Sequence, residues 1–323
     1  MALVSNTLFI VGAGFTRAAF PQAPLNRDLC AALIEAGSAT LAKHRARTAA
    51  DDIETLLTMM DIEASRGAAV RPDRRQINRD LAAFFSRFRA SALLPNLPDW
   101  LRAFGTDVVR PGDAIVSLNY DCLLEGALDI LEIWTPRGGY GRITNPVADT
   151  ISANPGGIVV YKIHGSENFT ESGVFPPTNP RRTSIGVEIN AARFPVSGAH
   201  MHIYGGMIDP RPYVIAPSFV KAPHVEIAAL MIDALRAAES TRHLAVIGCG
   251  MRPEDSFLWL LLTQFVTRVR DERGGLILVG PNAAALSDRI EEYWGRGLPD
   301  WLEVAAIEQG VQDSIGSLVR LVR

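Results

Sequence analysis

Short apolar runs punctuate the chain at Thr7–Val11, Ala114–Leu118, Ile158–Ile163, His243–Ile247 and Leu276–Val279. They are rich in aliphatic and β-branched residues with little polar alternation, as expected of strands covered on both faces. Tyr213–Ala216 and Glu303–Ile307 read as two further short strands. Between the runs, apolar residues fall three and four apart. Leu25, Leu29, Ala32, Leu33 and Ala36 predict a helix that Gly37 stops. Cys122–Ile133, Ala222–Ala238, Asp255–Arg270, Ala283–Tyr293 and Val311–Val322 carry the same spacing. Repeated strand, turn and helix define an α/β class, a Rossmann-like doubly wound parallel sheet.

One region breaks the alternation. From Ser38 to Phe104 no strand pattern occurs, while Ile53, Leu56, Leu57 and Met60, then Leu81, Phe84, Phe85 and Phe88, repeat at helical spacing. This predicts a helical insertion, 38–105, closed by Pro95 and Pro98, within an α/β domain made of 1–37 and 106–323. Pro136–Pro155 and Glu167–Gly198 are rich in turn formers and read as loops, the second a long surface excursion of the kind that often covers a site.

In doubly wound sheets, ligands bind beyond the carboxyl ends of the strands, where the strand order reverses. Five polar or glycine-rich turns follow predicted strands: Gly12–Arg17, Asn119–Asp121, His164–Ser166, Gly248–Met251 and Gly280–Asn282. Gly12 and Gly14 suit a backbone that must come close to a diphosphate. Arg17 stands where the common fingerprint has its third glycine, so this turn alone is equally a tight strand-to-helix corner. Convergence of all five on one crevice carries more weight than any one of them.

Composition narrows the classes. Hydrophobic residues make up 48% of 323, yet no apolar run reaches the length of a membrane span, and no signal peptide is recognisable, so a cytoplasmic protein is expected. A net charge of −3 offers no basic field for nucleic acid; Arg71, Arg74, Arg75 and Arg79 cluster, but Asp73 and Asp80 interleave with them. Cys30, Cys122 and Cys249 are far apart and odd in number, against a disulfide framework or a zinc ribbon. His200 and His202 share a strand face without a third ligand nearby, so no metal is expected.

The turns together resemble a family, the sirtuin-like NAD-binding proteins. Gly-Ala-Gly-Phe-Thr-Arg-Ala-Ala-Phe-Pro at 12–21 is similar to the sirtuin Gly-Ala-Gly loop that leads to a proline. Ser-Leu-Asn-Tyr-Asp at 117–121 resembles the family's Asn-x-Asp segment, and Lys-Ile-His-Gly-Ser at 162–166 its His-Gly. Val-Ile-Gly-Cys-Gly-Met at 246–251 and Val-Gly-Pro-Asn at 279–282 are similar to the later turns that hold phosphate and the adenosine ribose.

The departures are also informative. Deacylases of the family carry four zinc-binding cysteines after the His-Gly, and Ser166–Pro212 has none. Leu118 replaces their glutamine, and Val214–Lys221 lacks a Phe-Gly-Glu loop. Asn-Tyr-Asp-Cys-Leu-Leu-Glu at 119–125 and the insertion with Asp-Ile-Glu-Thr-Leu-Leu at 52–57 look more like bacterial sirtuin-like domains that hydrolyse NAD in defence against phage.

The resemblance implies NAD as substrate without zinc, held by Gly12, Ala13, Gly14, Phe15, Arg17, Ser166, Gly248, Met251, Gly280 and Asn282. It also implies a homo-oligomer and a separately encoded ATPase, helicase or nucleic-acid-sensing partner, with no membrane.

Cleaving the nicotinamide–ribose bond passes through an oxocarbenium-like cation, and the pyridine leaves neutral. The reaction therefore needs a held carboxamide, electrostatic support and a positioned water more than a strong acid. By the resemblance, Asp121 binds the carboxamide, Asn119 fixes ribose hydroxyls or water, and His164 is the base, its imidazole having an ordinary pKa of about 6.5. Other readings stay open. Asn119 or Asp121 would equally cap the helix beginning near Cys122, His164 would satisfy a backbone carbonyl, Arg17 would form a surface ion pair, and Glu125 would be a helix-face charge. A non-catalytic module sensing NAD or an ADP-ribose derivative, and less readily a protein deacylase, are the alternative functions.

Overall fold

A computed structural model describes residues 7–48, 50, 52–67, 69–143, 153–173, 183–187, 211–215, 217, 223–252, 255–267, 273–295 and 297–323. The strands among them are β1 (Thr7–Val11), β2 (Ala114–Ser117), β3 (Val159–Lys162), β4 (Gly165–Gly173), β5 (Thr183–Val187), β6 (Arg211–Val214), β7 (His243–Ile247), β8 (Gly274–Val279) and β9 (Leu302–Ile307). Six form one sheet in the order β3-β2-β1-β7-β8-β9, every pair parallel. The chain winds outward from β1 to β3 on one side and from β7 to β9 on the other. The order therefore reverses between β1 and β7, as the alternation of strand and helix predicts.

β1 lies at that reversal because nothing in it needs water. Leu8, Phe9, Ile10 and Val11 are fully buried, and each contributes roughly 2 kcal/mol by leaving solvent. At its amino end the Asp113 carboxylate accepts the Thr7 N–H at 3.1 Å and the Arg110 N–H at 2.9 Å. Burial pushes this carboxyl up to about 6.

The helices are α1 (Ala13–Ala19), α2 (Leu29–Glu35), α3 (Ala39–Arg45), α4 (Ile53–Arg66), α5 (Arg71–Phe85), α6 (Asp99–Ala103), α7 (Leu123–Ile130), a short α8 (Pro136–Gly139), α9 (Val225–Ser240), α10 (Ser256–Thr267), α11 (Ala283–Trp294) and α12 (Val311–Leu321). None is long and apolar enough to cross a membrane. The helix expected from Leu25 starts at Leu29, because a 3-10 turn at Asn26–Asp28 precedes it.

α3 to α6 occupy the stretch without strand pattern, and an aromatic seam holds this region to α1 and to the turn after β2. Phe15 meets Trp100 at 5.2 Å and Phe104 at 5.1 Å, Phe20 meets Phe88 at 5.5 Å, and Phe85 meets Tyr120 at 5.1 Å between ring centroids.

The excursion expected over Glu167–Gly198 is corrected in part. β4 runs through its start and β5 lies within it, and with β6 they make a second, antiparallel sheet in the order β5-β4-β6. β4 was hidden because most of its buried residues are polar. Glu167, Asn168 and Thr170 are buried on either side of Phe169, Glu167 held bidentately by Arg89 at 2.7 and 2.6 Å and Asn168 bonded to the Tyr140 hydroxyl at 3.2 Å. The expected loop at Pro136–Pro155 contains α8, and its residues 144–152 lie outside the described set, as do His200 and His202.

Candidate active site

The carboxyl ends of β1 and β7 are locked together by glycine. The Gly12 N–H donates to the Ile247 carbonyl at 3.0 Å, and the Gly14 N–H donates to the Gly248 carbonyl at 2.9 Å. A Cβ at Gly14 would lie 2.8 Å from the Gly248 Cα, and one at Gly248 would lie 2.6 Å from the Phe15 nitrogen. Gly248 also has φ +59°, the left-handed region that disfavours side chains. The backbones touch here only because both turns lack side chains.

On the other side of β1, side chains do the joining. Asn119, at the end of β2, donates from Nδ2 to the Gly12 carbonyl and to Thr16 Oγ1, both at 3.0 Å. The Thr16 hydroxyl in turn donates to Asp121 Oδ2 at 2.8 Å. With Nδ2 engaged twice, Asn119 is left with its Oδ1 as an acceptor for a ligand. Thr16 was not among the residues picked from sequence. Its place two residues after Gly14, on the buried face of α1, is the only signal that marked it.

Asp121 is buried, and its other oxygen accepts the Leu123 N–H at 3.1 Å, so it serves the start of α7 as the capping reading expected. Its carboxylate is thus turned to Thr16 and α7 and stands behind Asn119. Burial raises it to about 6, against the opposing pull of Lys162.

His164 is half-buried just beyond β3. Its Nδ1 lies 3.4 Å from the Leu118 carbonyl, its Nε2 3.9 Å from Asp255 Oδ1, and its ring centroid 6.4 Å from that of Tyr120. The ends of β1, β2, β3 and β7 therefore present Ala13, Gly14, Asn119, His164 and Gly248 as a partly accessible group.

The remaining predicted residues divide. Gly280, with its N–H on the Ile307 carbonyl at 3.1 Å, and the exposed Asn282 sit at the end of β8. Ser166 is fully buried, its hydroxyl donating to the Tyr120 carbonyl at 3.3 Å beside Cys122 Sγ at 3.5 Å. Met251 is fully buried with φ +40°. The Phe15 ring belongs to the aromatic seam, so only its backbone borders the turn. Arg17 points to Asp28 at 3.7 Å in the surface ion pair held open as its other reading.

One charged residue had been passed over, and another lies where it was not expected. Arg252 follows the β7 turn and pairs with Glu54 of α4 at 2.6 Å, tying the insertion to the crevice. Glu125, expected on a solvated helix face, is fully buried and pairs with the equally buried Lys162 at 2.8 Å. A lysine inside an otherwise apolar strand and a glutamate inside an apolar helix were complementary signals that could have been joined.

With sheet order and strand ends in view, the class is a doubly wound, Rossmann-like α/β fold. No protein-family profile matches the chain, and no curated protein is significantly similar to it in sequence. Among solved structures, a variant Sir2 homologue in complex with ADP-ribose is similar, with 14% identity and a TM-score of 0.50 over 100% of this chain and 94% of that one. A Sir2 homologue–NAD complex is similar at 15% identity and a TM-score of 0.49, over 100% of this chain and 91% of that one.

Proposed function

We propose that the chain is an NAD glycohydrolase, splitting NAD at the nicotinamide–ribose bond to give nicotinamide and ADP-ribose. The observation that carries this reading is the placement of Asn119. Its amide is pinned by Gly12 and Thr16 where the strand order reverses, its oxygen remains as an acceptor, and His164 stands at the adjoining strand end. The bare glycine turns suit a diphosphate laid against the backbone of β1 and β7. Similarity in fold to a Sir2 homologue in complex with ADP-ribose supports the same ligand class.

In this mechanism the Asn119 Oδ1 accepts a hydrogen bond from a ribose hydroxyl or the attacking water. As the bond to nicotinamide lengthens, positive charge grows on the ribose, and the neutral pyridine departs without a strong acid. His164 takes the proton of the water or of a ribose hydroxyl. Asp121, through Thr16, keeps the amide of Asn119 in its orientation. Following the resemblance read from sequence, the biological role is NAD depletion in defence against phage, with an oligomer and a separate sensing partner.

The deciding experiment is nicotinamide release from NAD by the purified chain, followed by chromatography, beside Asn119→Ala and His164→Ala. Release by the native chain and its loss in both variants is expected. Undiminished turnover in either variant would remove that residue from the mechanism. NAD binding without release would favour the sensing alternative.

A further inference from the structure

The segment carrying Asn119 and the segment carrying His164 are joined through backbone carbonyls. The Leu118 carbonyl lies against His164 Nδ1 at 3.4 Å. The Tyr120 carbonyl accepts the Glu167 N–H at 2.8 Å and the Ser166 hydroxyl at 3.3 Å. The Asp121 carbonyl accepts the Lys162 ammonium at 2.6 Å. Of these contacts, only the last uses a fully charged group, and both Lys162 and its counter-ion Glu125 are shut off from solvent.

Such a pair is expensive. Burying a lysine and a glutamate costs several kcal/mol, and well-packed apolar residues of similar size in their place are often neutral or stabilising. Glu125 is 2.8 Å from the ammonium, but neither of its oxygens accepts a well-aligned hydrogen bond among the described residues, so it acts as a counter-charge. The ammonium stands on the last residue of β3, two residues before His164, and reaches across to the turn two residues after Asn119.

We propose that Lys162 is a positioning residue for nicotinamide–ribose cleavage: its ammonium, held in the core by Glu125, sets the Asn119–Asp121 turn at its working distance from His164. This rests on the hydrolase reading above. Lys162 touches no reacting atom. It acts by gripping a carbonyl that an apolar side chain would leave without a partner.

The test uses the full chain with Lys162→Met and Glu125→Leu combined, so that neither charge is left alone. A second pair, Lys162→Gln with Glu125→Leu, keeps a neutral donor near the Asp121 carbonyl. Thermal melting, kcat and KM for NAD, and amide hydrogen exchange over residues 118–124 are measured on each. The Met/Leu chain is expected to melt within a few degrees of native. Its kcat should fall at least tenfold with KM within about twofold, and residues 118–124 should exchange at least tenfold faster while β1 and β7 do not. The Gln/Leu chain should recover part of both losses.

Unchanged kcat and unchanged exchange in a folded Met/Leu chain would overturn the positioning role and leave the hydrolase reading standing. If the native chain releases no nicotinamide, the hydrolase reading fails by itself, and the exchange comparison still decides whether Lys162 holds the turn. Should the Met/Leu chain not fold, the Gln/Leu chain is scored by the same two criteria, and failure of both to fold would overturn positioning in favour of a purely structural pair.

Discussion

The two sides of the strand-end crevice are built by opposite means. On the β7 side, Gly12, Gly14 and Gly248 remove side chains so that backbones meet. On the β2 and β3 side, Asn119, Thr16, Asp121, Lys162 and Glu125 fill the space with a buried polar network. The first construction tolerates no added atoms, whereas the second tolerates no lost hydrogen bonds. Under the proposed hydrolase reading, the first side would lie against the diphosphate and the second would serve the cleavage.

Substitutions can break this contrast. The largest effect is expected at Asn119: Asn119→Ala should lower kcat for nicotinamide release by about 10²–10³-fold, as removal of one preorganised polar group does elsewhere, while its two lost hydrogen bonds lower stability by only about 1–3 kcal/mol. A comparable loss of folded protein would instead mark the polar side as scaffolding. Gly248→Ala tests the other side. With a Cβ 2.6 Å from the Phe15 nitrogen, it should raise KM for NAD and lower stability by roughly 1–3 kcal/mol, measured by denaturant melts. Normal KM and stability would show that the backbones need not touch.

Protonation sharpens the comparison further. Asp121 is raised to about 6 mainly by burial, so the folded chain holds its proton more tightly than the unfolded chain. Stability from this group is therefore greatest below about pH 4 and is lost as pH rises through about 6. Turnover should run the opposite way, falling as pH drops below about 6, because a protonated Asp121 no longer accepts from Thr16. Asp113, also raised to about 6, sits at the amino end of β1. Asp113→Asn should therefore flatten the stability–pH curve and leave the acid limb of kcat in place. The smallest effect belongs to the insertion: Asp52 caps α4 through the Glu54 and Thr55 N–H groups, and Asp52→Ala should cost about 1 kcal/mol of stability without moving kcat.

Much of this arrangement was legible in the sequence, and the limits have physical causes. The six main strands were visible because the central ones, covered on both faces, are almost wholly apolar, and several of their turns because glycine or asparagine stands directly after them. β4 was invisible because most of its buried residues are polar and depend on Arg89 and Tyr140, residues distant in the chain. Asn119, Asp121 and His164 were singled out from the sequence, but the contacts that hold each of them were not. That Asp121 faces Thr16, and that Ser166 and Met251 are closed in the core, follows from packing that no spacing encodes. Lys162 and Glu125 were each readable as anomalies and became meaningful only as a pair.

The hydrogen bond from Gly14 to Gly248 joins the turn after β1 to the turn after β7, two segments far apart in the sequence. A ribosome making this protein therefore exposes β1 long before β7 leaves the exit tunnel. Half of the crevice does not exist until then. If the finished protein consumes NAD, translation itself supplies a delay: no nascent or truncated product ending before β7 can deplete the cofactor of the cell that is making it. Expression of a chain stopped before His243 should be harmless wherever the full-length protein is toxic.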